Sequence, residues 1–268
     1  MAVRQLILDQ PRRCQRCGTE VPSGAPVHWD DTLDQVWCAA CPAAVFGFDR
    51  GRPGAAARRE GARRSGVRDA RVRARHPHIG GLILALSADP QSTQAWERGA
   101  VGEERVGAVL EKARSRGLEV LHDRRVPGSS ANIDHIVVAP TGIWVIDTKR
   151  YQGQGVGTRR AGGLFDRRRA LVVGGRDKTK LLVGVRRQVD VVAARIDGPW
   201  TGIPVFGAIC FVDQRNRLAP SFVLDDVLVT QPKQLVASLI STKRRPLTIA
   251  PDRVVPLAAE IAGRFPVA

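Results

Sequence analysis

Three charged side chains lie at the ends of two short apolar runs in the segment NIDHIVVAPTGIWVIDTKRYQGQG, which begins at Asn132. The two runs are joined by a Pro-Thr-Gly turn, and this pattern predicts a β-hairpin. Because side chains alternate across a strand, Asp147 and Lys149 share one face, while Thr148 points to the other. Twelve residues separate Asp134 from Asp147, so a hairpin can bring the two carboxylates close together.

The chemistry that suits such a pair of carboxylates is divalent-metal binding. Two carboxylates held close together repel each other, and a hard cation removes the repulsion while keeping positions for water and a phosphate oxygen. The arrangement favours a magnesium-dependent phosphodiesterase site in which Lys149 stabilises developing negative charge or positions the water. Taken singly, Asp134 could cap a turn and Asp147 could form an exposed ion pair with Lys149. Taken together, the three residues favour the chemical interpretation.

Two helical patterns flank this hairpin and carry further polar candidates. The first begins near Trp96 and ends at Gly117, and its Glu103 and Glu104 could be ordinary first-turn acids favoured by the helix dipole. The second runs from about 178 to 196, with Gln188 interrupting an apolar stripe. A buried amide usually needs a polar partner, although a glutamine at the stripe edge could also reach solvent.

Three sequence blocks occur in one order along the chain: GAVGEERV at 99–106, HDRRVPGSSANIDHIVV at 122–138 and IWVIDTKRYQGQG at 143–155. Together they resemble the nuclease-related domain (NERD) family, which is part of the PD-(D/E)xK restriction-endonuclease-like superfamily. The resemblance covers roughly residues 95 to 215. Three separate blocks are far more specific than an isolated Asp-x-Lys.

The resemblance implies an α/β fold, with a restriction-endonuclease-like mixed sheet flanked by helices. It also implies an active site made of Glu103, Asp134, Asp147 and Lys149, with Glu103, Asp134 and Asp147 around Mg²⁺ or Mn²⁺. Gln188 matches a glutamine that the superfamily often places on a helix beside the catalytic strands. This chain carries Asp where the superfamily often has Glu, which shortens the reach of that ligand.

Four of the five cysteines form two close pairs that predict a structural zinc site. Each pair has the spacing C-x2-C, and twenty residues separate the pairs. A soft thiolate set suits tetrahedral zinc, and four protein ligands leave no open position for water, so we expect a folding role. The four ligands are Cys14, Cys17, Cys38 and Cys41. The fifth cysteine, Cys210, lies in an apolar run and reads as an inert buried residue.

The charge of the chain indicates a polyanionic partner. There are 42 Lys and Arg against 26 Asp and Glu, a net charge of +16, which is typical of nucleic-acid binding or of contact with an acidic membrane surface. Ten arginines lie in residues 50–76, against only Glu60 and Asp69. With almost no large apolar residue, this segment reads as a solvated tether or as a partly helical arm that contacts phosphates.

These patterns divide the chain into four parts: a zinc ribbon (1–49), a basic linker or arm (50–92), a NERD nuclease-like domain (93–230) and a C-terminal helical extension (231–268). The function expected is metal-dependent hydrolysis of DNA phosphodiester bonds. The alternatives are a nucleic-acid-binding protein with a non-cutting nuclease-like domain, or a zinc-ribbon scaffold for a protein partner. No segment has signal-peptide or membrane-spanning character, so the expected location is cytoplasmic.

Overall fold

The N-terminal part of the chain is built from short antiparallel strands. The computed structural model describes residues 3–14, 19–30, 35–39, 48–79, 91–161, 168–215, 221–243 and 245–268. The strands are β1 (Val3–Ile7), β2 (Arg12–Arg13), β3 (Glu20–Val21), β4 (Pro26–Asp30) and β5 (Gln35–Cys38). Strand β4 pairs with β1 and with β5, while β2 pairs with β3. Their small core is formed by Leu8, Cys14, Val21, Val27 and Val36.

A six-stranded mixed sheet forms the centre of the larger part. Its strands are β6 (Glu119–Arg125), β7 (Asn132–Ala139), β8 (Gly142–Arg150), β12 (Val205–Val212), β13 (Phe222–Leu224) and β14 (Val227–Thr230). The order across the sheet is β13-β14-β12-β8-β7-β6, in which β12 runs parallel to β8 and β14 and the other pairs are antiparallel. A smaller sheet pairs β9 (Val156–Arg160), β10 (Arg169–Val173) and β11 (Arg176–Asp177).

Helices cover both faces of the six-stranded sheet. They are α1 (Ala55–Arg75), α2 (Gln91–Lys112), α3 (Lys180–Ala193), α4 (Pro232–Ile240) and α5 (Pro251–Arg264). On β8, Trp144 and Ile146 pack in one core with α2 and α4, while Ile143 and Val145 pack in another with α5. This alternation confirms the predicted α/β class with a mixed sheet flanked by helices. None of the helices that the structure describes is long and apolar enough to cross a membrane.

The arginine-rich segment forms helix α1, which packs against α2. Its buried face carries small residues, Ala57 and Gly61, so the two helices approach closely without large apolar side chains. The guanidinium of Arg58 donates to both oxygens of Glu104 on α2, at 2.5 and 2.8 Å. The segment is therefore held to the domain by close helix packing and an ion pair.

Candidate active site

The hairpin of β7 and β8 brings Asp134 next to the strand that carries Asp147. The paired stretch runs from His135 opposite Ile146 to Ala139 opposite Gly142, as the turn sequence predicts. Just beyond it, Asp134 Oδ2 accepts a hydrogen bond from the backbone N–H of Thr148, at 2.7 Å.

Lys149 forms an ion pair with Asp147 at the same strand end. Its Nζ donates to the carboxylate of Asp147 at 2.7 Å and to the carbonyl oxygen of Thr148 at 3.3 Å. Burial opposes the positive charge, but the neighbouring charges of Asp147 and Asp134 outweigh it and raise the pKa of Lys149 above its usual range. Lys149 therefore stays protonated beside the carboxylates.

Asp134, Asp147 and Lys149, together with Glu103, are called the acidic cluster. Glu103 belongs to helix α2, which lies close to β8 at this point. A Cβ atom on Gly102 would lie 3.2 Å from Cβ of Arg150 and 3.4 Å from Cγ2 of Thr148. Gly102 therefore allows α2 to approach β8 closely, and the neighbouring Glu103 directs its carboxylate into the domain. Glu103 is only 9% exposed, and its Oε2 has no hydrogen-bond partner among the described residues.

Two carboxylates of the cluster, Glu103 and Asp134, have raised pKa values. Burial, followed by the charges of Asp134 and Asp123, raises the pKa of Glu103 to about 9. Burial, followed by the charge of Asp147, raises the pKa of Asp134 to about 7. At neutral pH the cluster therefore holds protons that a bound cation would displace, because a positive ion stabilises the charged form of each carboxylate.

The oxygen atoms near the cluster bear on whether a divalent metal fits it. Buried oxygens on Glu103, Thr148 and Gln188 have no hydrogen-bond partner among the described residues. Hard carboxylate oxygens are also the ligands that Mg²⁺ and Mn²⁺ prefer. Within the described part of the chain, however, no three His, Cys, Asp or Glu side chains already converge as a metal-ligand group. The ammonium of Lys149 instead contacts Asp147.

Gln188 lies on α3 beside the start of β7. Its Nε2 donates to the backbone carbonyl of Asn132 at 3.4 Å, and its buried Oε1 has no described partner. The amide is thus next to the strand that carries Asp134, two residues further along. This position is compatible with the helix-borne glutamine that the resemblance implies.

Sequence reasoning missed a fourth carboxylate, Asp123, which lies inside β6, two residues before the strand ends. Its side chain accepts hydrogen bonds from Asn132 Nδ2 at 2.8 Å and from the backbone N–H of Ala56 at 2.6 Å. Its negative charge raises the pKa of both Glu103 and Asp134. Asp123 adopts a left-handed backbone (φ 53°), which is uncommon for a residue other than glycine. The sequence offered one signal for Asp123, which was its position in the block 122–138 that resembles the NERD family.

Two buried histidines form a separate network behind the cluster. His122 contacts Glu111 Oε1 through Nε2 at 2.9 Å and His135 Nδ1 through Nδ1 at 2.8 Å. Burial and the neighbouring His122 lower the pKa of His135 well below its usual range, so its ring is neutral. His135 belongs to this core network, although its neighbour in sequence is Asp134.

Three residues of the cluster, Glu103, Asp134 and Lys149, line one part of a cleft of about 1500 Å³. The walls of this cleft are strongly basic. The loop 129–132 and the first half of α1 line other parts. The basic lining residues are Arg59, Arg63, Arg64, Arg98, Arg125, Lys149 and Arg150. A negatively charged polymer is the ligand that this distribution of charge attracts.

The cysteine-rich region is described only in part. The backbone N–H of Cys38 donates to the sulfur of Cys14 at 3.4 Å, so one cysteine from each pair lies at the same place. Cys17 and Cys41 lie outside the described residues. Cys210 is buried in the sheet, and burial raises the pKa of its thiol above the usual range, in agreement with an inert residue.

Comparison with known proteins places the cluster inside a recognised domain. Residues 98–212 match the model of the nuclease-related domain, so this part of the chain is nuclease-related. The chain is also similar to an uncharacterized protein of Bacillus anthracis, with 36% identity over 83 residues, or 30% of this chain. Those residues span only 39% of that protein's length. No solved structure matches the chain.

Proposed function

We propose that the protein is a metal-dependent nuclease of PD-(D/E)xK type that hydrolyses phosphodiester bonds of DNA. The observation that carries the proposal is that Glu103, Asp134 and Lys149 line one basic cleft, with Asp147 ion-paired to Lys149. All four residues lie inside the range that matches the nuclease-related domain. A phosphate backbone would neutralise the basic walls, while the acidic cluster would face the scissile bond.

Each residue of the cluster has a distinct role in this proposal. Asp134 and Asp147 are the metal ligands, and Glu103 completes or supports the coordination shell. Mg²⁺ or Mn²⁺, when bound, would supply a Lewis acid for the phosphate and lower the pKa of a water molecule. Lys149 holds that water or stabilises the negative charge that develops on the phosphate. Gln188 orients the start of β7 through its contact with Asn132.

We further propose that Cys14, Cys17, Cys38 and Cys41 hold one structural zinc ion. The proximity of Cys14 and Cys38 supports it, because ligands from two C-x2-C pairs must meet at one point.

A second candidate function is nucleic-acid binding without cleavage. The ion pair between Lys149 and Asp147 favours it, because this contact occupies a carboxylate that the metal would need. In such a protein the basic cleft would bind DNA, and the acidic cluster would be a remnant of the fold.

Cleavage assays separate the two candidates. Purified protein is incubated with labelled duplex, nicked, branched and single-stranded DNA and with RNA, in Mg²⁺, Mn²⁺ or EDTA. The nuclease proposal predicts cleavage of DNA in either metal and none in EDTA. Binding that persists in EDTA, with no cleavage of any substrate in either metal, would favour the second candidate.

A further inference from the structure

We propose that the first half of helix α1, which precedes the nuclease-related domain, is a fixed wall of the cleft that binds the backbone of the DNA. This inference rests on the proposed function for the position of the scissile bond. It assigns substrate binding to residues outside the matched range 98–212.

The arginines of the segment are divided between two tasks. Arg50 donates to Glu119 at 3.0 Å and Arg58 pairs with Glu104, so these two attach the segment to the domain. Arg59, Arg63 and Arg64 line the cleft, and Arg59 also donates to the backbone oxygen of Ala268. Arg59 and Arg63 are four residues apart and share one face of the helix, and Arg64 follows Arg63 directly, so the three cover about one and a half turns.

The wall is held in place by contacts at its beginning and along its length. Asp123 accepts the N–H of Ala56 in the first turn, and this carboxylate also contacts Asn132 near the catalytic cluster. The guanidinium of Arg64 lies over the ring of Trp96 on α2, 5.3 Å from its centroid. The arginines are therefore positioned before any ligand binds, which lowers the entropic cost of binding.

The charge of the wall suits a phosphodiester backbone. Glu60 is the only acid in this half of α1, and it pairs with both Arg63 and Arg64, at 2.8 and 2.6 Å. Arg98, Arg125 and Arg150 also line the cleft, and Arg150 pairs with Asp213 at 2.7 Å. A DNA strand that enters the cleft thus meets further cations besides those of α1.

The test compares two variants that lose the same charge from the same helix. In the cleft variant, Arg59, Arg63 and Arg64 are each replaced by Gln. In the control variant, the exposed Arg71, Arg73 and Arg75, which do not line the cleft, are each replaced by Gln. Binding to a duplex is measured in EDTA, where no cutting occurs, over a range of salt concentrations, and circular dichroism verifies the fold of each variant.

We expect the cleft variant to bind more weakly and to flatten the dependence of log K on log salt. Each lost phosphate contact changes this slope by about 0.9 on duplex DNA, so the loss of three contacts should change it by about 2.7. The control variant should keep the wild-type slope, and Lys at positions 59, 63 and 64 should restore it. Equal slopes for wild type and the cleft variant, or equal losses in the two Gln variants, would overturn the proposal. Because binding is measured without cleavage, a failure of the nuclease proposal would appear separately, as intact binding without cutting in metal.

Discussion

At the scale of single residues, the acidic cluster makes the metal-free protein less stable as the pH rises. The pKa of Glu103 rises from an ordinary value of 4.5 to about 9 on folding, so the folded state binds this proton more tightly than the unfolded state. Stability must then fall between these two pH values, because deprotonation is easier in the unfolded chain. If the cluster binds a divalent metal as proposed, its affinity should increase over the same interval, because the ligands must be ionised.

The variant Glu103→Gln tests this charge effect. In EDTA at pH above 7, we expect the variant to be more stable than wild type by about 1 to 3 kcal/mol, because Gln does not ionise, whereas the wild-type carboxyl ionises more easily in the unfolded chain than in the folded protein. At roughly 2 to 4 °C of melting temperature per kcal/mol, thermal unfolding can resolve the difference. The difference in stability between the variant and wild type should shrink towards pH 4.5. Glu104→Gln is the control, since it breaks the ion pair with Arg58 and should bring no gain.

The residues that sequence reasoning found and missed differ in the range of their interactions. Asp134, Asp147 and Lys149 could be found because hairpin pairing is local and side chains alternate along strands. Asp123 could not, because its role depends on a left-handed backbone and on contact with Ala56, which is 67 residues away. The ion pair between Lys149 and Asp147 could not be predicted either, since alternation along the strand gives their shared face but not a contact between them.

At the scale of elements, the docking of α1 depends on glycine at its beginning. Gly54 has φ 75°, and a Cβ atom there would lie 2.8 Å from the carbonyl oxygen of Ala100 on α2. The sequence of the segment indicated solvation, because it lacks large apolar residues. Small side chains, caps and ion pairs from distant residues supply the packing instead, and a reading of local composition does not detect them.

Replacement of Gly54 by Ala tests this packing. Gly117→Ala is a matched control, since Gly117 has φ 82° but no atom within 4 Å of an added Cβ. Both variants should lose about 1 to 2 kcal/mol through the left-handed backbone. We expect the unfolding free energy of Gly54→Ala to fall further and its affinity for duplex DNA to weaken as α1 shifts. Equal losses in the two variants would show that α1 is not held by this contact.

At the scale of the whole molecule, the central sheet pairs strands that lie far apart in the sequence. The mixed α/β class followed from the alternation of helical and strand patterns. The pairing of β8 with β12 could not be read in the same way, because it connects strands more than fifty residues apart whose apolar runs fit several partners. The zinc ribbon at residues 1–49 stays a prediction, since two of its ligands lie outside the described residues.

Metal analysis tests the zinc prediction on the whole chain. We expect about one zinc ion per wild-type chain, because four ligands complete one tetrahedral site. The double variant Cys14→Ser, Cys38→Ser should lose the metal, whereas Cys210→Ala should keep it, since Cys210 lies in the central sheet. Wild-type protein that is folded in residues 1–49 without zinc, as judged by NMR, would refute the prediction.

The most direct test of the proposed nuclease is the cleavage rate of Asp147→Ala in single-turnover conditions with Mg²⁺ or Mn²⁺. We expect this variant to fold, to bind DNA in EDTA and to show no metal-dependent cutting, because a ligand of the metal is lost. Lys149→Ala should cut more slowly by about 10² to 10³, the usual effect of losing one preorganised charge contact. The exposed Asp190→Ala on α3 should cut at the wild-type rate. Folded, DNA-binding Asp147→Ala protein that cuts as fast as wild type would contradict the proposed active site.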